Sequence, residues 1–338
     1  MNERDGWRLQ LAYAGLHPDT TAGLLDAHGP EGAVARVLAN RSGSERPRQA
    51  ASVPASQRVA ELVESGFRAV FRGEAGYPPR LAALPGAPDL LFVIGEIPTA
   101  SAIAVVGTRR CSQYGRNLAE AYGRAIAAAG WTLVSGLARG IDGAAHRGTV
   151  AANGPGVAVL GCGLDIAYPR EHASLRDELL ASGGAVVSEY PPGTPPEAWR
   201  FPARNRIISG MSAAVVVVEA AVKGGALITA NAALDQGVPV FASPGDVDRD
   251  SAAGCNLLIR DGAQPVLDPA DLVAELELLL GPAATSPLRN RDWDWDGTTA
   301  TELADARSIS IEAAAAALGR AEVAGSLVRR GDRFYPHP

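Results

Sequence analysis

Apolar, β-branched runs of strand length recur along the middle of the chain, and segments with helical spacing separate most of them. The runs lie at residues 103–107, 131–136, 156–161, 184–189, 213–220 and 238–245. Most of their positions are apolar, rather than every second one, which is typical of strands buried on both faces of a parallel sheet. This alternation of strand and helix predicts an α/β fold with a doubly wound, mostly parallel Rossmann-like sheet.

The regions on either side have different patterns. Residues 7–40 place apolar side chains at helical spacing, with Pro18 and Pro30 at expected helix starts. The C-terminal end predicts three short helices and two short strands around the turn Gly331-Asp332. The predicted organisation is a helical, SAM-like domain (1–40), a linker (41–57), an extended Rossmann-like domain (58–280), a second linker (281–297) and a winged-helix-like domain (298–338).

The composition narrows the classes of function. The 338 residues are 47% hydrophobic and carry a formal net charge of −6, so we expect a globular protein whose cationic regions are local. The densest apolar run, AAVVVV, is too short to span a bilayer, and no signal-peptide pattern follows the first residues. We therefore expect a cytoplasmic protein that does not bind membranes.

Cys111, Cys162 and Cys255 lack CxxC spacing, so neither a disulfide framework nor a zinc site is expected, and no cofactor is predicted.

Positive charge is concentrated in two places. Residues 101–150 contain six arginines and two acidic residues, and Arg200–Arg206 contains three more arginines. The chain has a single lysine, Lys223, which Gly224 follows. A P-loop requires Ser or Thr after its lysine, so a Walker-type ATPase is excluded.

Glycine-rich loops follow the predicted strands: GTRRCSQYGR, SGLARGID, GCGLDIAYPR, SEYPPGT, KGGALITA and SPGD. Ligands of an open parallel sheet bind outside the carboxyl ends of its strands, where these loops meet. Glycine lets the backbone approach a ligand, and guanidinium groups bind phosphate through paired hydrogen bonds. Trp199 and Phe201 flank Arg200, and arginines interleaved with aromatic residues are typical of single-stranded nucleic acid sites. The sequence thus predicts a phosphate-binding rim, unless Phe201 belongs to the core and only the arginines are exposed.

Two other classes of function remain open. Four carboxylates lie near the strand ends: Asp142, Asp165, Glu189 and Glu219. With His146 as a general base, they would suit a nucleotide-binding or nucleotide-hydrolysing Rossmann-like enzyme or sensor. The stretch after the Gly-Gly loop, however, has no acid before Asp235, and capping helices or pairing with Arg109 and Arg139 is the favoured role for the carboxylates. The third class is an interaction protein that works through the winged-helix-like tail.

The motifs between residues 58 and 268 are similar to those of a known family. They read YPPRL, VVGTRRCSQYG, SGLARGIDGAAHRG, AVLGCGLDIAYP, SEYPPGTPP, FPARNRIISGMSAAVVVVEA and GGALITANAALDQGVPVFASPGD. In order and spacing they resemble the DNA-processing protein A family, also called DprA or Smf. The resemblance implies a protein without catalytic turnover that binds single-stranded DNA, protects incoming DNA during natural transformation and loads the RecA recombinase onto it. It also implies a homodimer formed through the Rossmann-like domain.

The same resemblance implies DNA and phosphate contacts at particular residues. They are Gly107, Thr108 and Arg109 in one loop, Phe201, Arg204, Asn205 and Arg206 in another, and Lys223, Gly224 and Gly225 in a third. Residues that would shape the adjoining pocket are Ser135, Gly136, Arg139, Gly140 and Asp142. The chain departs from the family at Gly224 or Gly225, where serine is common, so backbone N–H groups would replace a hydroxyl contact to phosphate.

Overall fold

The computed structural model describes residues 2–40, 44–281, 298–307, 310–323 and 327–336. It begins with four helices: α1 (Glu3–Tyr13), α2 (Pro18–Ala39), α3 (Glu45–Ser52) and α4 (Ala55–Glu64). Pro18 lies in the first turn of α2, where its missing N–H costs no helical hydrogen bond. Helix α2 bends at Gly29, whose φ is 65°, and continues from Pro30. The two prolines therefore mark a helix start and a bend.

The segment 41–57, expected to be a linker, contains a helix in its described part. Ser44 caps helix α3 by accepting a hydrogen bond from the backbone N–H of Arg46. The Gln10 side chain on α1 donates to the carbonyl oxygens of Ala51 and Val53 at 3.1 and 3.0 Å, and Ala51 is fully buried. The polar composition concealed this helix because contacts with neighbouring helices, rather than a wide apolar face of its own, stabilise it.

Nine strands of the described residues form one sheet. They are β1 (Arg68–Phe71), β2 (Leu90–Gly95), β3 (Ala102–Val106), β4 (Thr132–Ser135), β5 (Gly156–Leu160), β6 (Ala185–Ser188), β7 (Ala214–Val217), β8 (Val240–Ala242) and β9 (Gln264–Pro265). Their order across the sheet is β1-β2-β6-β5-β4-β3-β7-β8-β9. Strand β2 is antiparallel to β1 and β6, and all other pairs are parallel. The predicted doubly wound, mostly parallel sheet is confirmed.

Helices cover both faces of this sheet. They are α5 (Pro79–Ala82), α6 (Gln113–Ala128), α7 (Ile141–Ala151), α8 (Ala173–Ala181), α9 (Arg200–Met211), α10 (Gly225–Asp235), α11 (Asp250–Arg260) and α12 (Pro269–Leu280), with a short 3-10 helix at Arg170–His172. Along β3, Ala104 and Val106 pack towards α9, α10 and α11, while Ile103 and Val105 pack towards α6, α7 and α12. Both sets are buried, which explains why the strands read as continuous apolar runs.

The sheet has a topological switch point beside β3. The chain leaves β3 through α6 to reach β4 on one side, whereas β7 lies on the other side of β3 and leads on to β8. The loops after β3 and β7 therefore diverge and leave a crevice at the carboxyl ends of these two strands. Ligands of doubly wound sheets bind at this position.

The C-terminal part contains α13 (Ala300–Arg307), α14 (Ile311–Val323), β10 (Leu327–Arg330) and β11 (Arg333–Pro336). Strands β10 and β11 form the predicted hairpin around Gly331-Asp332. The described residues of this part contain two helices where three were predicted, and the winged-helix assignment stays a prediction. The second predicted linker, 281–297, lies outside the described residues except for Gly281. In the described ranges, no helix is both long and apolar enough to cross a membrane.

Candidate functional site

A cleft of about 670 Å³ opens at the switch point. The loops after β3 and β7 and the first half of α9 form its walls. Eight residues singled out from the sequence line it: Gly107, Thr108, Arg109, Phe201, Arg204, Asn205, Gly224 and Gly225. Asp142 also lines it. The structure therefore brings together segments that lie far apart in the sequence.

The loop after β3 is held rigidly by Glu219, which follows β7. The backbone N–H of Thr108 donates to the Glu219 carbonyl oxygen at 2.7 Å, and the Glu219 carboxylate accepts from the backbone N–H of Ser112 at 2.8 Å and from its hydroxyl. Gly140 has a φ of 79°, and a Cβ there would collide with the backbone of this loop. These contacts leave Arg109 and Arg110 exposed at the mouth of the cleft.

One cation and two aromatic rings lie in contact with one another in the cleft. The Cζ atom of Arg109 is 4.9 Å from the centroid of the Phe201 ring. The ring centroid of Tyr168 is 5.1 Å from that of Phe201, with an angle of 32° between the planes. Phe201 is half-buried and lines the cleft, so it is not simply a core residue. Sequence reasoning missed Tyr168, although it lies in GLDIAYPR, one of the loops that follow a predicted strand.

Arg204 lies at the floor of the cleft and is only 3% exposed. One of its Nη atoms donates to the carbonyl oxygen of Val159 at the end of β5. Burial lowers the pKa of Arg204 to about 10, with the positive charge of Arg109 adding to the shift. Burial also raises the pKa of Asp142 above its usual value, although the nearby Arg204 opposes that shift. Arg204 and Asp142 therefore form a polar, largely buried floor of the cleft.

The other two arginines of the segment 200–206 face protein groups. Arg200 is 7% exposed and donates to the carbonyl oxygen of Pro195. Arg206 pairs with Glu189 at 2.7 Å. The structure corrects the expectation of an exposed arginine rim at 200–206: these guanidinium groups mainly connect α9 to neighbouring segments. The exposed cations of the cleft come from the loop after β3.

The remaining predicted residues lie around the cleft rather than in it. The Ser135 hydroxyl donates to the Val105 carbonyl oxygen inside the sheet, and the N–H of Gly136 donates to Asp142 at 3.1 Å. Arg139 is exposed and pairs with Glu171. Lys223 lines a separate groove between α10 and α11. Ser135, Gly136 and Gly140 thus support the cleft wall, whereas Arg139, Arg206 and Lys223 have no place in its lining.

Helix α10 begins at the cleft with its two glycines. Gly224 is the N-cap residue and makes no side-chain capping bond. A Cβ built on Gly225 would meet nothing within 4 Å. The Asn205 side chain donates to the Gly225 carbonyl oxygen at 3.3 Å and so connects α9 to this end of α10. A helix N-terminus without a side-chain cap favours anions because its N–H groups point outward.

The four carboxylates considered for catalysis all make hydrogen bonds to neighbouring segments. Asp165 accepts from the N–H of Gly193 at 2.9 Å, while Asp142, Glu189 and Glu219 hold Gly136, Arg206 and Ser112 respectively. Each carboxylate thus has a structural contact, with partners other than the expected Arg109 and Arg139, and a purely structural role stays a prediction. His146 is fully buried, and burial lowers its pKa to about 3. Among the described residues, no group of three or more His, Cys, Asp or Glu side chains is arranged to hold a metal ion.

Residues 68–277 match the sequence model of the family described as DNA recombination-mediator protein A. The chain belongs to this family. The resemblance to the DprA/Smf proteins is thereby confirmed. Protein Smf of Escherichia coli (strain K12) is 47% identical over 203 residues, which are 60% of this chain and 54% of Smf. The chain thus spans about half the length of this relative. DNA processing protein DprA of Bacillus subtilis (strain 168) is 39% identical over 221 residues, which are 64% of this chain and 74% of DprA.

Solved structures of DprA share the fold. The X-ray structure of DprA from Streptococcus pneumoniae has a TM-score of 0.64 at 33% identity and covers 79% of this chain and 96% of its own. The DprA structure from Helicobacter pylori has a TM-score of 0.55 at 25% identity and covers 62% of this chain and 95% of its own. This second structure gives insight into the single-stranded DNA binding mode of the Helicobacter pylori protein.

Proposed function

We propose that this protein binds single-stranded DNA in the cleft at the switch point and acts as a recombination mediator rather than as an enzyme. The observation that carries the proposal is the exposed guanidinium group of Arg109 beside the ring of Phe201. Guanidinium groups bind phosphate strongly at any accessible pH, and aromatic rings stack on bases of any sequence. This pair suits a strand whose bases are unpaired.

The surrounding groups support the same ligand. The N-terminal end of α10 offers backbone N–H groups to a second phosphate, and Arg204 places a largely buried positive charge at the cleft floor. The chain as a whole carries a net charge of −6, so the attraction for DNA comes from this local field. The single-stranded DNA binding named for the Helicobacter pylori relative is consistent with this proposal. We assign the sequence-predicted contacts that line the cleft to DNA on this basis.

The test is binding of a labelled single-stranded oligonucleotide, measured by fluorescence anisotropy at several salt concentrations with duplex DNA as competitor. Wild-type protein should prefer the single strand. Arg109→Ala should weaken binding to all sequences alike and reduce the slope of log affinity against log salt by about one, because one fewer phosphate is neutralised. Arg109 is exposed, so its replacement should leave the stability of the fold unchanged.

Arg124→Ala is the matched control, since Arg124 is an exposed arginine on α6 that pairs with Glu120 outside the cleft. It should bind as the wild type does. Arg204→Ala is a poorer test because Arg204 is buried and its removal also disturbs the fold. An identical salt slope for wild type and Arg109→Ala would contradict the proposed role of Arg109, and no binding by folded wild type would contradict the function.

We further propose that the bound strand is protected during natural transformation and delivered to the RecA recombinase, as the family resemblance implies. RecA filament formation on single-stranded DNA should then be faster in the presence of wild-type protein than of Arg109→Ala. If RecA filaments form at the same rate with wild type, with Arg109→Ala and with neither protein, the delivery step would be contradicted, whereas DNA binding would still stand.

A further inference from the structure

Among the described residues, the exposed tyrosine and tryptophan side chains are Tyr114, Tyr168 and Trp199. Trp199 is already engaged, because His17 stacks on it at 5.0 Å, Arg200 lies 4.9 Å from its ring centroid and Tyr190 meets it edge-on. Tyr114 does not line the cleft. Tyr168 lines it and is 39% exposed. Exposed aromatic rings inside a cleft point to a ligand that covers them.

We infer that Tyr168 is a second base-stacking residue of this cleft, beside Phe201. This inference rests on the proposed function. The Phe201 ring is partly covered by its neighbours: Arg109 lies over it, and it packs against Gly161. The Tyr168 ring lies next to that of Phe201, at a centroid distance of 5.1 Å with the planes tilted by 32°, and Tyr168 is the more exposed residue of the two. Two adjacent rings provide stacking surface for neighbouring bases of one strand.

The segment that carries Tyr168 is anchored on both sides, so the ring is positioned before a ligand binds. On one side, the Asp165 carboxylate accepts a hydrogen bond from the backbone N–H of Gly193, in the loop after β6, at 2.9 Å. On the other, the ring of His172 is hydrogen-bonded through Nδ1 to the Leu137 carbonyl oxygen at 2.9 Å, and Glu171 pairs with Arg139. A preorganised side chain loses little conformational freedom when a base stacks on it. This assigns the Arg139–Glu171 pair to support of the cleft.

The role of Tyr168 differs from that of Arg109 in what each recognises. A stacking ring acts on the base and releases no counterions, whereas a guanidinium group acts on the phosphate. Removing Tyr168 should therefore lower affinity without changing the salt slope. It should also lower affinity only for strands that carry bases.

The experiment compares a homopolymeric thymidine oligonucleotide with an abasic oligonucleotide of the same length. Tyr168→Ala should bind the thymidine strand about fivefold to 150-fold more weakly than wild type, which corresponds to the usual free energy of one base–aromatic stack. Its binding to the abasic strand and its salt slope should match those of wild type. Tyr168→Phe should restore the lost affinity because it keeps the ring. Tyr114→Ala is the matched control, as Tyr114 is 54% exposed outside the cleft, and should bind both strands as wild type does.

The outcomes separate this inference from the proposed function. If Tyr168→Ala binds the thymidine strand as tightly as wild type while Arg109→Ala is impaired, the stacking role is overturned and DNA binding stands. An equal loss on thymidine and abasic strands would make Tyr168 a structural residue of its loop and overturn the inference as well. If folded wild type binds neither strand, both the inference and the proposed function fail.

Discussion

His146 is a single buried residue whose protonation affects the whole fold. It lies on α7 beneath the sheet and is fully buried. Burial is the main cause of its low pKa of about 3, and the charges of His172, Arg204 and Arg147 lower it further. The imidazole is therefore neutral at physiological pH and is enclosed by the core, and it is not among the residues that line the cleft.

This low pKa predicts a loss of stability in mild acid. In the unfolded chain His146 takes up a proton below about pH 6.5, whereas in the folded protein it does not. The free energy of unfolding should therefore fall as the pH decreases from about 6.5 towards about 3, with His146 contributing about 1.4 kcal/mol per pH unit. Urea unfolding at pH of about 7.5 and about 5 should show a loss of about 2 kcal/mol that is absent from His146→Gln.

The comparison removes the contributions of other groups because they titrate alike in both proteins. His146→Gln will differ from wild type in absolute stability, so the readout is the change between the two pH values. Parallel stability curves for the two proteins would contradict the assignment of the acid sensitivity to His146.

The sequence was enough to predict where the site residues lie in the fold, but not where their side chains point. The glycines and Arg109 follow β3 directly, and the switch point brings any such loop to the crevice, so their place followed from the sequence. The side-chain orientations of Arg200, Arg204 and Arg206 could not be predicted, because the position of a residue in a helix determines only the helix face from which its side chain projects. Their partners, the Val159 and Pro195 carbonyl oxygens and Glu189, come from other parts of the fold.

Among the elements, α1 is joined to the sheet by one buried cation. Arg8 is 8% exposed and donates to the Asp89 carboxylate at 2.7 Å and to the Asp89 carbonyl oxygen at 2.7 Å. It also pairs with Asp5 at 3.0 Å, and Asp5 is only 3% exposed. A buried carboxylate that loses its cation is strongly destabilised.

We predict that Arg8→Ala lowers the free energy of unfolding by about 3 kcal/mol, because Asp5 would remain buried without its guanidinium partner. Hydrogen exchange should also become faster in α1, since α1 would lose its bonds to the segment before β2. Arg124→Ala is the comparison, as its ion pair with Glu120 is largely exposed and should contribute less than about 1 kcal/mol. Equal and small effects of the two replacements would contradict this role of Arg8.

The parallel strands were easier to predict than the other elements for a physical reason. Their double burial imposes apolar residues at nearly every position, and this pattern is local. The pairing of β2 with β6 is not local: Phe92 pairs with Ser188, which lies far along the chain, and no pattern in either strand specifies it. Helix α3 was missed for a related reason, since its helical state depends on Gln10 and the helices around it.

At the scale of the whole molecule, the cleft adjoins the groove between α10 and α11, which is lined by apolar residues and by Lys223, Asn231 and Asp261. Gly224 lines both, and the groove continues along Leu227 and Leu257. Large apolar side chains around it are exposed, with Val222 at 52% and Ile228 at 44%. Exposed apolar side chains grouped around one groove and bordered by polar residues are typical of an interface between proteins. We propose that a second copy of the chain covers this groove, which agrees with the homodimer that the family resemblance implies.

Light scattering after gel filtration should then give about twice the chain mass of 34.9 kDa, and Ile228→Glu should give the single mass, because a buried charge opposes association. Val63→Glu is the control and should keep the dimer mass, since Val63 is 71% exposed on α4 outside the groove.

The same dimer would present two clefts to one long strand, so that the second cleft binds at high effective concentration. Ile228→Glu should therefore weaken binding of long oligonucleotides more than of short ones. A monomeric wild type, or a dimer that Ile228→Glu leaves intact, would contradict this interface.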